Sequence, residues 1–199
     1  MADATPAVRR VVVGISGASG AVYGARLLQV LRDLPGVESH LVVSHAGWRN
    51  LAHEMDLHPS EVRAWAHQVH DVDNVGASIA SGSFMAHGMV VAPCSMRTLA
   101  AIAHGLADNL LTRAADVTLK ERRRLVLMVR ETPLHLTHLR NMVAATEMGA
   151  ICCPPLPAFY LRPTSVGDIV DHSVARALDL LGLEHPLASR WAGLPSVAI

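Results

Sequence analysis

A hydrophobic run in the second half of the chain ends in two adjacent opposite charges. Residues 125–129 read LVLMV, and Arg130, Glu131 and a Thr-Pro pair follow directly. Five consecutive apolar residues with two valines are typical of a strand buried on both faces of a parallel sheet. The proline disfavours helix at Thr132. Because ligands bind at the carboxyl ends of parallel strands, Arg130 and Glu131 are candidate site residues, with an ordinary charged turn as the alternative.

Strand and helix patterns alternate along the rest of the chain, with no internal repeat and no linker. Further strands are predicted at residues 8–15, 38–43, 87–92 and 149–153. Helices are predicted at residues 21–32, 46–55, 59–69, 99–104, 108–122, 135–148 and 165–181. Residues 71–84 are predicted to form a loop. This order predicts one α/β domain over residues 1–199, a three-layer doubly wound parallel sheet with a tail at 1–8 and a C-terminal extension at 183–199.

A glycine-rich turn, GISGASG at residues 14–20, joins the first predicted strand to the first helix. Backbone N–H groups in this setting bind phosphate at a helix N-terminus, although a tight crossover would use the same glycines. The turn is not GxGxxG and lacks the lysine of a P-loop. The second strand ends at Ser44 rather than at an acidic residue, which disfavours a plain NAD-binding module.

Polar groups also follow the other predicted strands. Ser95 and Thr98 stand where a helix begins after the strand at 87–92, so they could contact a ligand or simply cap that helix. Residues 154–160 read PPLPAFY, a rigid loop that excludes helix and central strand and presents two aromatic rings to a planar or apolar ligand. Lys120 lies on one helix face with Arg113 and Asp116, where a solvated stripe is the alternative.

Composition narrows the class of protein. The formal net charge is zero and the one basic cluster, residues 122–124, suits a helix C-terminus, so nucleic acid is disfavoured as a partner. No apolar run reaches membrane-spanning length and no signal sequence is evident. Three cysteines form no disulfide framework, which favours a cytoplasmic protein. His135 and His138 have metal-ligand spacing but lack a third ligand, so no metal is expected.

Six short segments in this order resemble those of the UbiX-type flavin prenyltransferases, the UbiX/Pad family of FMN-binding proteins. They are GISGASG (14–20), PCSM (93–96), LTRAAD (111–116), LKER (119–122), RETPL (130–134) and PAFY (157–160). The resemblance covers residues 11–179. Flavin-binding cysteine decarboxylases are similar in fold, and the Arg-Glu-Thr-Pro segment separates the two groups.

The resemblance implies a Rossmann/flavodoxin-like fold and a metal-independent transferase. Members of the family join the dimethylallyl group of dimethylallyl monophosphate to N5 and then C6 of reduced FMN. The prenylated FMN passes to a UbiD-type decarboxylase, often in ubiquinone biosynthesis or aromatic-acid metabolism. The family commonly assembles as a homododecamer with active sites at subunit interfaces. The preference for monophosphate over diphosphate is implied by the family and not by any residue pattern.

The resemblance also assigns roles to residues of this chain. Glu131 matches the catalytic glutamate, and Ser16 matches a position near the reacting centre. The positions that match FMN contacts are Ala18, Ser19, Gly20, Ser44, Ser95, Met96, Arg97, Thr98 and Arg130. The positions that match contacts to the prenyl phosphate are Lys120, Arg130, Tyr160 and Arg176. Trp191 matches an aromatic residue near the flavin, and this chain has Arg97 and His45 where relatives often have lysine.

Two other functions remain open at this point. An FMN-dependent cysteine decarboxylase would use the same fold, but it needs a substrate-clamping Met/Asn motif that has no convincing match here. A non-catalytic FMN carrier subunit would not need a phosphate clamp beside a carboxylate, whereas Lys120, Glu131, Tyr160 and Arg176 are all present.

Overall fold

The computed structural model describes residues 8–187, and a single parallel sheet organises them. The strands are β1 (Arg9–Ile15), β2 (Val37–Val43), β3 (Gln68–His70), β4 (Ala86–Cys94), β5 (Arg124–Val129) and β6 (Ala150–Cys152). The α-helices in this range are α1 (Ala21–Asp33), α2 (His45–Met55), α3 (Pro59–Trp65), α4 (Met96–Ala103), α5 (Leu110–Lys120), α6 (Leu136–Glu147) and α7 (Val166–Leu181). Short 3₁₀ turns form at Ser78–Ala80 and Phe159–Leu161. Trp191 and most of the C-terminal extension lie outside the described residues.

The strand order is β3-β2-β1-β4-β5-β6, and every neighbouring pair is parallel. Chain order reverses between β1 and β4, because β1 pairs with β2 on one side and with β4 on the other. A crevice opens beyond the carboxyl ends of strands at such a reversal, and ligands bind there. The predicted doubly wound α/β fold is confirmed.

Two apolar layers lie on opposite faces of the sheet, which gives the predicted three-layer arrangement. Alternate residues of β1 point to opposite faces, so Val13 packs with Leu28 of α1 and Leu178 of α7. Val12 belongs to the other cluster, which includes Leu111 of α5. Both valines are almost completely buried, as the sequence pattern of a central parallel strand predicts.

The predicted helix over residues 59–69 is wrong at its end. Helix α3 stops at Trp65, Ala66 is extended, and Gln68–His70 forms the edge strand β3 beside β2. Tertiary contacts decide this, because the His67 ring accepts a hydrogen bond from the backbone N–H of Ser39 at 3.1 Å. A three-residue strand is too short to show a period of two in the sequence.

Three smaller features also differ from the sequence prediction. Helix α4 begins at Met96 rather than at residue 99, because Ser95 caps it. The predicted loop at 71–84 contains the 3₁₀ turn Ser78–Ala80, and the segment predicted to exclude helix closes with the turn Phe159–Leu161. These single turns need only one or two hydrogen bonds, so they leave no periodic pattern. Within residues 8–187, no helix is both long enough and apolar enough to cross a membrane.

Candidate active site

Ser16 lies at the β1/β4 reversal, where a ligand crevice is expected. This residue follows β1 directly and is 1% exposed. Its hydroxyl donates a hydrogen bond to the carbonyl of Pro93 at 2.8 Å and accepts one from the backbone N–H of Ser95 at 2.8 Å. Ser16 therefore ties the ends of β1 and β4 together. Its hydroxyl already has a donor and an acceptor, so the structure shows a positioning role, and its part in catalysis stays a prediction.

Residues 95–98 form the second wall of the crevice. The Ser95 hydroxyl accepts from the N–H of Thr98 at 3.3 Å and donates to the Thr98 hydroxyl at 3.1 Å, so the capping role that the sequence left open is present. Thr98 is buried, Met96 is half-buried and Arg97 is exposed. Arg97 forms an ion pair with Asp108 at 2.5 Å. A ligand in the crevice would meet the first turn of α4 at these residues.

The glycine-rich turn packs against one face of α2. A Cβ on Gly17 would lie 2.4 Å from the Cβ of Ala46, and Gly20 has a φ of +100°, a conformation that favours glycine. The side chain of Asn50 donates to the carbonyl of Ala18 at 2.8 Å. Ala46 and Asn50 lie four residues apart, so one helix face shapes the turn.

Glu54 continues this face of α2 and binds the start of α1. Its carboxylate accepts hydrogen bonds from the N–H groups of Gly20 at 2.8 Å and Ala21 at 2.9 Å. These N–H groups belong to the turn and helix N-terminus for which the sequence predicts a phosphate site, with a tight crossover as the alternative. A carboxylate is favourable at this end of the helix dipole. The anion site at α1 is therefore filled by the chain itself, and a phosphate would have to use other donors or displace Glu54.

Asn50 and Glu54 were not predicted as site residues from the sequence. Their only signal was the spacing of Ala46, Asn50 and Glu54 at intervals of four on a helix that follows Ser44. Ser44 itself caps α2, since its hydroxyl accepts from the N–H of Gly47 at 3.0 Å. Its own N–H donates to the carbonyl of Ile15 at 2.9 Å, which brings it beside the glycine-rich turn.

Arg130 and Glu131 leave the sheet at the carboxyl end of β5, as predicted. The N–H of Arg130 donates to the carbonyl of Cys94 at 3.1 Å, so the residue is fixed beside β4. Both side chains are exposed. Burial raises the pKa of Tyr23 on α1, and the Arg130 guanidinium acts in the opposite direction, so this positive charge lies near Tyr23. The Glu131 carboxylate accepts from the N–H of Thr132 at 3.0 Å.

Lys120 lies near the amino-terminal end of β5, whereas Arg130 follows the carboxyl end of that strand. Lys120 ends α5, contacts the Glu121 carboxylate and sits against Gly82, just before β4 begins. Strand β5 separates Lys120 from Arg130, and its six residues span about 20 Å. Within one chain, Lys120 and Arg130 therefore cannot bind the same phosphate group.

Tyr160 and Arg176 form a third group, on the outer side of α7. The Tyr160 ring meets the His172 ring edge to face, with 6.2 Å between centroids. His172 and Arg176 lie four residues apart on α7, and Arg176 forms an ion pair with Asp179 at 3.1 Å. Burial raises the pKa of the Cys153 thiol, and the Arg176 charge opposes this effect, so Arg176 also lies near the end of β6.

The two histidines considered as metal ligands stack on each other instead. The rings of His135 and His138 have centroids 3.5 Å apart. Among residues 8–187, no group of three His, Cys, Asp or Glu side chains is placed to hold a metal ion.

Comparison with known proteins places this fold and crevice in one class. The family model described as Flavoprotein matches residues 4–178, so the chain belongs to the Flavoprotein family. Within it, the chain is 58% identical over 187 residues to the flavin prenyltransferase UbiX of Neisseria meningitidis serogroup B, covering 94% of this chain and 98% of that protein. It is 55% identical over 188 residues to the flavin prenyltransferase UbiX of Escherichia coli K12, covering 94% of this chain and 100% of that protein. The chain is thus a member of the UbiX flavin prenyltransferases.

Solved structures agree with this assignment. A crystal structure of AnUbiX (PadA1) with FMN and dimethylallyl pyrophosphate matches with a TM-score of 0.92 and 51% identity, over 94% of this chain and 100% of that chain. A dodecameric FMN-dependent UbiX-like decarboxylase from Escherichia coli O157:H7 matches with a TM-score of 0.90 and 51% identity, over 92% and 100% of the chains. The FMN-dependent cysteine decarboxylase SpaF, at 23% identity and a TM-score of 0.58, shares only the fold.

Proposed function

We propose that this protein transfers the dimethylallyl group of dimethylallyl monophosphate to reduced FMN, forming bonds to N5 and C6 and releasing phosphate. The observation that carries the proposal is the pair Arg130–Glu131, an exposed cation beside an exposed carboxylate at the carboxyl end of β5 in a UbiX family member. Reduced FMN supplies the nucleophilic nitrogen and carbon. The crystal structure of AnUbiX with FMN and dimethylallyl pyrophosphate supports FMN and a dimethylallyl phosphate ester as substrates, and the choice of the monophosphate rests on the family resemblance.

The residues of the crevice suit a flavin. Gly17 and Ser19 are exposed although the strand before them is buried, so a ligand can reach the backbone of the turn. We propose that Ala18, Ser19 and Gly20 contact FMN from this side. Ser44, Arg130 and the residues 95–98 would contact it from the other walls, since they follow β2, β5 and β4 at the same edge of the sheet.

The phosphate of the prenyl donor would be bound by cations and a phenol. Arg130 can form paired hydrogen bonds to phosphate oxygens, and Lys120, Tyr160 and Arg176 would add further donors. These groups stabilise the negative charge that develops as the carbon–oxygen bond breaks, an electrostatic contribution that is usually the largest. The Glu131 carboxylate would exchange protons between the departing phosphate and the reacting edge of the flavin during ring closure.

We further propose that several copies of the chain build each site. Lys120 is about 20 Å along the sheet from Arg130, and Tyr160 and Arg176 lie on α7, so one chain cannot assemble the whole set. Exposed apolar side chains suit contacts between copies, including Leu136, Leu139 and Val143 on one face of α6 and Leu156 and Phe159 in the proline-rich loop. The dodecameric relative from Escherichia coli O157:H7 supports a homododecamer here.

The recipient of the product and its compartment are also proposals. Resemblance to the family supports delivery of prenylated FMN to a UbiD-type decarboxylase, in ubiquinone biosynthesis or aromatic-acid metabolism. Cys94, Cys152 and Cys153 are free thiols, which supports a reducing cytoplasm.

The proposal is tested by an anaerobic incubation with reduced FMN and a prenyl donor, followed by mass measurement of the released flavin. Dimethylallyl monophosphate and the diphosphate are supplied in separate reactions. We expect the flavin to gain one prenyl unit, with faster turnover of the monophosphate. Bound but unmodified FMN with both donors would contradict the transferase function and favour a flavin carrier or cysteine decarboxylase.

A further inference from the structure

We infer that Asn50 is a positioning residue that orients the backbone of the FMN-binding turn, an inference that rests on the proposed function. Asn50 lies on the inner face of α2 and is half-buried. Its side-chain amide donates to the carbonyl oxygen of Ala18 at 2.8 Å. The hydrogen bond joins residues 32 positions apart, so it fixes the turn to a second element and not merely to itself.

The bond to Ala18 sets the direction of the next N–H group. The Ala18 carbonyl and the Ser19 N–H belong to one planar trans peptide, in which they point in opposite directions. Because Asn50 holds the carbonyl towards α2, the Ser19 N–H points away from α2. Asn50 thus sets the orientation of the Ser19 N–H without contacting it.

The neighbouring donors of the turn are already in use. The Ala18 N–H donates to the carbonyl of Ser16 at 3.0 Å, and the Gly20 N–H donates to Glu54 at 2.8 Å. Among residues 8–187, the Ser19 N–H between them has no acceptor. It is therefore a donor that the folded chain leaves for a ligand, and Asn50 keeps it in that orientation.

The test is the affinity of the flavin-free protein for oxidised FMN, measured by quenching of flavin fluorescence. Asn50→Ala removes the donor, and Asn50→Asp keeps the shape but places a carboxylate against the Ala18 carbonyl. We expect the Kd for FMN to rise about three- to tenfold for Asn50→Ala and at least as much for Asn50→Asp. The loss should appear in the KM for FMN more than in kcat, because Asn50 acts on a turn that binds FMN and does not touch the reacting atoms.

His53→Ala is the matched control, since His53 lies on the exposed side of the same helix and its replacement changes helix propensity by a similar amount. Its Kd for FMN should equal that of the parent. Parent-like affinity in both Asn50 variants, or an equal loss in His53→Ala, would overturn the inference about Asn50. Failure of the parent protein to bind FMN would instead overturn the proposed function.

Discussion

Glu131 is the second residue after β5 and lies next to Arg130, the cation proposed to bind phosphate. Its carboxylate is exposed and bonded only locally, to the N–H of Thr132, so it can turn towards a substrate without breaking a tertiary contact. Proton exchange by a positioned carboxylate contributes about 10²–10⁴-fold to a rate. Removal of the Glu131 carboxylate is therefore expected to slow the reaction by the same factor.

Glu131→Gln should therefore bind FMN as the parent does and slow prenyl transfer by about 10²–10⁴-fold. The amide keeps the size of the side chain but cannot accept and return a proton. Single-turnover measurements of flavin mass after anaerobic mixing would give the rate. Full turnover by this variant would refute the proton-exchange role, and loss of FMN binding would show that Glu131 has a different task.

Lys120→Ala should mainly raise the KM for the prenyl donor. The ammonium group is proposed to bind the donor phosphate, and a lost hydrogen bond to a charged group costs about 1.5–3 kcal/mol, or about a tenfold to a hundredfold weaker interaction. FMN affinity should not change. Arg32→Ala, which removes an exposed cation at the end of α1, is the control. An unchanged dependence on donor concentration would count against Lys120.

At the scale of elements, a buried histidine pair fixes the edge strand β3 to β2. The Nδ1 atom of His40 and the Nε2 atom of His70 are 3.1 Å apart, and both residues are buried. The pKa of His40 is lowered to about 4, mainly by burial; protonation of His70 would also lower this pKa, and Glu38 acts in the opposite direction. Arg10 and His67 also lower it. The pair is therefore neutral at pH 7.

The folded protein should lose stability in mild acid. The pKa of His40 is about 4 when folded and near 6.5 when unfolded, so this stabilisation is complete above pH 6.5 and is lost as the pH falls towards 4. The expected loss is on the order of 2–3 kcal/mol in the free energy of unfolding. Urea unfolding between pH 7.5 and 4.5 would measure it. His40→Gln should flatten the profile, and a parent-like slope in that variant would exclude His40 as its source.

The elements differ in how much of them the sequence could predict. Strand β5 and its charged end were predictable, because five apolar residues leave no alternative to burial. Strand β3 was not, because it is defined by contacts of His67 and His70 with residues far away in the chain. The contacts of Asn50 and Glu54 with the first turn also depend on tertiary packing, and helix spacing alone did not distinguish them from a solvated face.

At the scale of the molecule, order along the chain predicted the crevice but not the distances between its residues. The ends of β1, β2, β4 and β5 converge, so Ser16, Ser44, Ser95 and Arg130 lie at one edge as expected. Lys120 was predicted to belong to the same site, yet it lies at the amino-terminal ends of the strands. Helix α5 ends at Lys120 and returns the chain to the start of β5. Chain order does not show which subunit supplies a residue, so a shared site cannot be predicted from residue spacing.

The most direct test of a site shared between copies is complementation between two impaired variants. Glu131→Gln and Lys120→Gln chains are dissociated, mixed in equal amounts and reassembled, and prenyl transfer is measured at low donor concentration. If each site takes these residues from different copies, random mixing restores both in about one quarter of the sites. We predict turnover near that fraction of the parent value. Activity no higher than that of the separate variants would contradict a site built from several copies.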